Sequence, residues 1–325
     1  MKDLIIIGAG PAGLATAIEA KRHQLDYIIF DKANVVNTII QYPTDMIFNS
    51  TSELLELGGL PFNSNQMRPT RREAVRYFQR VARHFGLDIR PYHEFFALDY
   101  KDEGYSLHFR HTIRTTEFTE NSRNVVIATG FYDVPKRLDV PGKDLPHVRH
   151  YYREAFPYHD QDVVIVGAGN SAVEAALDIF RNGGRVTMIH RGDRVKKGVK
   201  YWILPDILNR IREKSIRLIA NAKVIGISAD TVAYERKGKR GEANADHVLA
   251  LTGYQPDRSI LERTGAAFDA LTLEPRVDPA SFESSRPGLY FAGSMLAGIY
   301  PNRIFIENAR GHGEVIIKHI LSQKR

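Results

Sequence analysis

Leu4-Ile5-Ile6-Ile7-Gly8-Ala9-Gly10-Pro11-Ala12-Gly13 is an apolar run that ends in a glycine-rich turn, and Val163-Val164-Ile165-Val166-Gly167-Ala168-Gly169-Asn170-Ser171-Ala172 repeats the design in the middle of the same chain. Each stretch reads as a buried strand, a tight turn and the start of a helix. The first glycine permits the turn, and the second lets backbone come close to a pyrophosphate. The third position, Gly13 or Ala172, has to be small so that helix packs on strand. Amides at the helix start then favour a negative charge. One such turn is a weak signal, and either could be a strand-to-helix corner with no ligand. Two of them, each opening a βαβ pattern, predict an α/β chain with two Rossmann-like dinucleotide-binding domains.

Outward from the first turn, residues 14–23 continue as helix and Tyr27-Ile28-Ile29-Phe30 forms the second strand. Asp31 ends that strand and Lys32 follows; both are candidate ligands of the first dinucleotide. An acid about 20 residues beyond the glycines accepts hydrogen bonds from an adenosine ribose; the other reading of Asp31 is a solvated strand end. Residues 34–65 are rich in Asn, Ser, Thr and Pro and are expected to be loop with short helical pieces. Within them Gln41 and Tyr42 are a candidate wall for a bound ring, or Tyr42 is surface packing. Thr70-Arg71-Arg72-Glu73 has the spacing of a capping box. Val75, Phe78, Val81, Ala82 and Phe85 share one face of the helix it opens. Residues 87–118 alternate loosely and read as a small antiparallel meander. Val125-Val126-Ile127-Ala128-Thr129-Gly130 is a further buried strand, and its glycine end permits close approach of a ligand.

Around the second turn, residues 172–180 read as helix and 186–189 as strand, followed by His190-Arg191-Gly192-Asp193-Arg194-Val195-Lys196-Lys197. The place that Asp31 holds in the first unit is held here by cations. A ribose 2′-phosphate is dianionic near neutral pH, and arginine clamps it bidentately. The expected second nucleotide is therefore NADPH rather than NADH. Its candidate ligands are Gly167, Gly169, Asn170, Ser171 and Ala172 in the turn, and His190, Arg191 and Arg194 beyond it. A solvated basic turn is the other reading. Val248-Leu249-Ala250-Leu251-Thr252-Gly253 ends this unit as Ala128-Thr129-Gly130 ends the first, which adds Gly253. Proline and glycine punctuate residues 134–142, and 254–257 form a second linker. Gly288-Leu289-Tyr290-Phe291-Ala292-Gly293-Ser294 is a buried strand with a glycine end, and residues 304–319 have the spacing of one final helix.

At 325 residues about two domains are expected, and 43% hydrophobic with 26% charged residues is ordinary for a globular protein. No apolar run approaches the roughly 18 residues of a membrane span, so no membrane partner is expected. Met1-Lys2-Asp3 leads directly into the first strand, so no signal peptide is expected and the cytoplasm is the expected compartment. The net charge of +7 steers anionic partners. Its basic residues are scattered, and no nucleic acid is expected. The chain has no cysteine, which excludes a disulfide, a thiolate metal site and a thiol nucleophile. Its 12 histidines show no paired spacing on one helix, so no metal is expected.

Taken together these landmarks resemble, over the whole chain, the two-dinucleotide-binding-domain flavoproteins, with thioredoxin reductase as the layout. A scattered set is more specific: Asn34-Val35-Val36, Tyr42-Pro43-Thr44, His150-Tyr151, Asp160-Gln161-Asp162-Val163-Val164-Ile165, Trp202-Ile203-Leu204-Pro205 and Ile304-Phe305-Ile306-Glu307-Asn308 resemble the bacillithiol disulfide reductase family. The resemblance implies FAD in a discontinuous domain of residues 1–133 and 255–325, and NADPH in an inserted domain of residues 134–254. It implies hinges at 134–135 and 254–256, and a homodimer. FAD would then take Gly8, Gly10, Pro11, Ala12 and Gly13. Gly293 and Ser294 would run along its ribityl-phosphate chain, and amides near Ile304 and Phe305 would face the reduced ring. Thioredoxin reductases carry a Cys-x-x-Cys whose places fall here on His150 and Arg153. His150 is thus a candidate proton carrier near the flavin, or a packed linker residue. The bacillithiol disulfide reductases place a cysteine inside the first turn, where this chain has Ala12.

With no cysteine on the chain, a thiol relay within it is impossible. The expected activity is an NADPH-dependent flavoprotein reductase that passes hydride to the flavin and electrons to a disulfide, another small molecule or a small redox protein. Three alternatives stand beside it. One is a thioredoxin-reductase-like ferredoxin–NADP reductase, although that group often carries a longer tail after the last helix. The others are a flavin monooxygenase, whose signature is incomplete around Val140-Pro141-Gly142, and a non-catalytic redox sensor.

Overall fold

The computed structural model describes residues 1–101, 104–196, 198–300 and 302–323. The chain folds into two compact units. Residues 1–41, 46–134 and 254–325 form the first, and residues 42–45 and 135–253 the second. The short segment 42–45, which the sequence grouped with the first unit, belongs by its contacts to the second; there the Thr44 amide donates to the Arg153 carbonyl at 2.8 Å.

In the first unit, β1 (Lys2–Ile7) runs through α1 (Pro11–Arg22) to β2 (Tyr27–Phe30), parallel in register from Leu4–Tyr27 to Ile7–Phe30. The short α2 (Asn37–Gln41) follows. The helix α3 (Arg71–His84) opens on the expected capping box: the Glu73 amide donates to Thr70 Oγ1 at 3.3 Å, and the Thr70 amide to Glu73 Oε2 at 2.8 Å. Its buried face is Ala74, Tyr77, Phe78, Val81 and Ala82, displaced from the expected one. Val75 is half-buried, and Phe85 lies past the helix at its C-cap. The burial follows Tyr77 because its ring stacks on Phe62, 4.2 Å between centroids.

The expected meander is present but begins later. β3 (Ile89–Arg90) pairs in parallel with β2, and only β4 (His93–Lys101), β5 (Gly104–His111) and β6 (Glu117–Ile127) are antiparallel. β6 fuses two stretches that the sequence kept apart. Its first half pairs β5, and its second half pairs β1 in parallel, Leu4–Asn124 through Ile7–Ile127.

The chain leaves this unit at β7 (Val134–Pro135). The second unit holds β8 (Val148–Arg149), β9 (Asp162–Val166), α4 (Asn170–Arg181), β10 (Arg185–His190), α5 (Leu204–Arg212), β11 (Arg217–Ala220), an antiparallel sheet of β12 (Ala222–Ile227), β13 (Thr231–Arg236) and β14 (Lys239–Asn244), and β15 (His247–Ala250). The parallel sheet has the order β11-β10-β9-β15-β8. Strand period sorts β9 between two cores. Val163 and Ile165 pack with Val173, Met188 and Ile207, while Val164 and Val166 pack with Ile189, Val224, Val232 and Val248.

The chain returns to the first unit at β16 (Tyr254–Gln255), then α6 (Arg258–Thr264) and β17 (Leu289–Phe291), which pairs β6 in parallel from Leu289–Val125 to Phe291–Ile127. The single final helix expected over 304–319 is instead two, α7 (Ile306–Ala309) and α8 (His312–Gln323). The break has a packing cause. A Cβ on Gly313 would lie 2.6 Å from Thr16 Cα, so α8 is seated backbone-to-backbone on α1, and that seat sets its direction independently of α7. Among the described residues no helix is long and apolar enough to cross a membrane.

Candidate functional site

The first unit gathers its candidate residues at the carboxyl ends of β1, β6 and β17. Gly8 has φ +108°, and a Cβ there would lie 2.5 Å from the Ala128 carbonyl oxygen, so the turn abuts the end of β6. A Cβ on Gly13 would sit 1.9 Å from Gly8 O; helix and strand touch through that missing atom. Around Gly10 there is nothing within 4 Å of the corresponding point, and Pro11 at the first helical position fixes the turn. The two outer glycines are therefore needed by the fold, and the middle one faces open space of the kind a pyrophosphate needs. Gly293 approaches Ala12, its would-be Cβ 2.9 Å from Ala12 Cβ, and that of Gly130 would lie 3.5 Å from Ser294 Oγ. Thr129 Oγ1 donates to Met295 Sδ at 3.7 Å. Ala12, Thr129, Gly130, Gly293 and Ser294 thus form one cluster.

Asp31 ends β2 half-buried, with Oδ2 accepting from the Ala9 amide at 2.7 Å and Oδ1 from the Ala33 amide at 2.9 Å. Burial pushes its carboxyl above the ordinary carboxylate range, against the pull of those amides. A carboxylate so fixed keeps lone pairs for hydroxyl donors. The Lys32 ammonium is taken by Asp133 at 2.8 Å. Gln41 lies exposed at the end of α2, and Tyr42 falls in the other unit.

The helix that opens near Ile304 and Phe305 is shorter than expected. Phe305 caps a helix of four residues, not a long one, and its amide donates to Asn308 Oδ1 at 2.7 Å. One residue of this cluster had no sequence signal. The Gly293 amide donates to His312 Nδ1 at 3.2 Å, and the imidazole stacks on Phe282 at 4.3 Å. Burial lowers its pKa, which suits an acceptor nitrogen.

The second unit repeats the turn at the ends of β9 and β15. Gly167 has φ +141°, a Cβ there would meet Leu251 O at 2.4 Å, and Ala172 is fully buried beneath it. The nearest atom to a Cβ on Gly169 would be Lys196 Cδ at 4.0 Å. Ser171 is exposed at the start of α4. His190 ends β10 half-buried; burial, then Lys196 and Arg191, lower its pKa and keep the ring neutral at pH 7. Arg191 is exposed, and Arg194 forks onto Asp193 with Nη2 2.7 Å away. Lys136 joins this cationic group, its pKa lowered by burial and by Lys196 and Arg191. Its amide bonds Gly253 O at 2.9 Å, which sets it beside the β15 end. A linker lysine carries no local signal, and only the fold brings it here. Lys197 lies outside the described residues.

His150 follows β8 half-buried and hydrogen-bonded to the backbone of Ala250. Burial lowers its pKa, so the ring is neutral at pH 7 and braces β8 against β15. Among the described residues no group of His, Cys, Asp or Glu could hold a metal.

The profile of the pyridine nucleotide-disulphide oxidoreductases matches residues 5–293. The bacilliredoxin reductase Bdr of Bacillus subtilis is 37% identical over 322 residues, 98% of each chain. The bacillithiol disulfide reductase Bdr of Bacillus cereus superposes with a TM-score of 0.97 at 34% identity over 99% of both chains. Its Staphylococcus aureus counterpart gives 0.94 at 36%, over 100% of this chain and 99% of that one. With two dinucleotide cradles and this similarity, the chain belongs to the pyridine nucleotide-disulphide oxidoreductases, in the bacillithiol disulfide reductase family of flavoprotein reductases that use FAD and NADPH.

Proposed function

We propose that this chain reduces a disulfide at the expense of NADPH, with bound FAD between them and no protein sulfur on the route. The observation that carries the reading is the pair of cradles in a chain with no cysteine. FAD fits the first cradle: the open space at Gly10 takes its pyrophosphate, Asp31 its adenosine ribose, and the cluster of Ala12, Thr129, Gly130, Gly293 and Ser294 the phosphate-ribityl arm. NADPH fits the second: Gly169 would leave room for its pyrophosphate, and Arg191, Arg194, Lys196 and Lys136 would supply positive charge for the 2′-phosphate. Bound together, the two cofactors supply hydride transfer from nicotinamide to flavin and then two electrons to the acceptor.

The chain's own residues bind, orient and neutralise charge. The overall balance is NADPH, one proton and a disulfide giving NADP⁺ and two thiols. No mixed disulfide with the chain can form, because it holds no thiol to attack. The relatives are named for bacillithiol disulfide and for bacilliredoxin, so the acceptor class proposed is a low-molecular-weight disulfide or the disulfide of a small redox protein.

The test is anaerobic. The FAD-loaded protein is mixed with NADPH, then with NADH, while flavin absorbance is followed. NADPH is expected to bleach the flavin and NADH to do so poorly. Bacillithiol disulfide, oxidised bacilliredoxin, ferredoxin, quinones and oxygen are then offered. Turnover with ferredoxin alone would overturn the disulfide reading, and oxygen consumption with a hydroxylated product would overturn the reductase.

A further inference from the structure

Arg191, Arg194 and Lys196 lie on the stretch between β10 and α5, whose described residues form no helix or strand of their own. It is nevertheless fastened. The Asn221 amide donates to Gly192 O at 2.8 Å, and the Lys196 amide to Ala168 O, inside the glycine turn, at 3.1 Å. The other fastenings come from α4. Asn170, its first residue, accepts the Lys200 amide on Oδ1 at 2.8 Å and donates Nδ2 to Gly198 O at 3.2 Å. One turn on, Glu174 Oε1 takes the Lys200 ammonium. The Lys200 side chain is 6% exposed, and its Nζ lies 5.7 Å from the Trp202 ring centroid.

Residues at i and i+4 of a helix share a face. Asn170 and Glu174 therefore grip the two ends of one lysine, backbone and side chain, and Lys196 is held between that grip and the tie to Ala168. Both polar ends of the Asn170 side-chain amide are used by the loop. The loop carries Arg191, Arg194 and Lys196, and Lys136 stands nearby. Like charges repel, and a free loop would have to be ordered against that repulsion when a phosphate arrives. A loop fastened beforehand meets that cost during folding.

We propose that Asn170 and Glu174, acting through Lys200, are positioning residues that hold the cationic loop over the glycine turn and so set the preference for a 2′-phosphorylated nicotinamide nucleotide. This rests on the reading of the second cradle as the NADPH site. Neither side chain touches the nucleotide. Glu174 serves selectivity; the pyrophosphate and adenine contacts are made by other groups.

The test uses FAD-loaded protein and two soluble fragments, 2′,5′-ADP and 5′-AMP, with calorimetric Kd values. Glu174→Gln is expected to weaken 2′,5′-ADP about tenfold or more while 5′-AMP stays within about twofold. The KM for NADPH rises with kcat unchanged. Lys200→Met keeps the stem against Trp202, and the charge it leaves unpaired is the part-exposed Glu174 carboxylate and not a buried ammonium, so it is the variant to read should Glu174→Gln fail to fold; the same selective loss is expected. The double variant should be no worse than either single, because both act through one contact. Equal weakening of both fragments, or of neither, overturns the proposal and leaves the NADPH site standing. Wild-type protein that fails to prefer 2′,5′-ADP overturns the site itself and the proposal with it.

Discussion

At the scale of single residues, the two glycines of one turn have opposite jobs, and they predict opposite phenotypes. A methyl on Gly13 would fall 1.9 Å from Gly8 O, a backbone atom that cannot step aside. Gly13→Ala should cost about 1–3 kcal/mol or more of stability, read as a lowered Tm of the FAD-free protein. Gly10 has φ −76°, open to any residue, and empty space around it. Gly10→Ala should leave FAD-free stability within about 0.5 kcal/mol yet weaken FAD binding at least tenfold, about 1.4 kcal/mol. If Gly10→Ala unfolds the protein, or binds FAD normally, the space is not a phosphate cradle. His312 gives a pH dependence. Its folded pKa lies below the unfolded value near 6.5 because burial opposes the charge. The unfolded chain then takes the proton first, so stability present above pH 6.5 is lost as the pH falls from there through the folded pKa. Protonated Nδ1 can no longer accept the Gly293 amide. FAD retention should fall over the same window, and His312→Asn should flatten its pH profile. Asp31 was legible because strand-end spacing fixes where its oxygens point. The bonds of Asn170 to Lys200 and of Phe305 to Asn308 were not legible, because loop and helix geometry that local sequence does not encode chooses those partners.

Elements were legible where a local signal agreed with burial on both sides. β1 and β9 are apolar runs closed by glycine, β2 is one closed by Asp31, and α3 announces itself with its cap. Thr70→Ala should cost about 1 kcal/mol, because the Glu73 amide loses its acceptor. Thr70→Ser keeps the oxygen and should restore most of the loss in a urea titration. A full loss with serine would place the effect in the threonine methyl and not in the cap. The elements that escaped were those defined by partners distant in sequence. β6 is one strand because β1 and β17 extend its ladder beyond the hairpin with β5. The final helix is two because Gly313 docks on Thr16. The antiparallel sheet β12-β13-β14 carries a cationic turn, Arg236-Lys237-Gly238-Lys239-Arg240, and its apolar alternation is short, with Ala222 and Val224 buried before a register shift between Val224 and Gly226 interrupts it.

The whole chain is two units with separate cores, and each carries its own glycine cradle. A ligand that binds only the folded form of one unit stabilises that unit by about 2.7 kcal/mol at 100 times its Kd. Where openings are local, protection from hydrogen exchange should rise where the ligand sits. FAD added to stripped protein is therefore expected to slow exchange in β1, α1, β2 and β17. By contrast, 2′,5′-ADP should slow it in β9, α4 and β10, with little change in the first set. The two effects should also appear in either order of addition, since each cradle is built from its own unit's backbone. Mass-resolved exchange on the intact protein, with peptides covering both glycine turns, decides the matter. If one ligand protects both turns equally, the units open together and the independent cradles argued from Gly8 and Gly167 are wrong. If 2′,5′-ADP protects the first turn alone, the two nucleotides have been assigned to the wrong units.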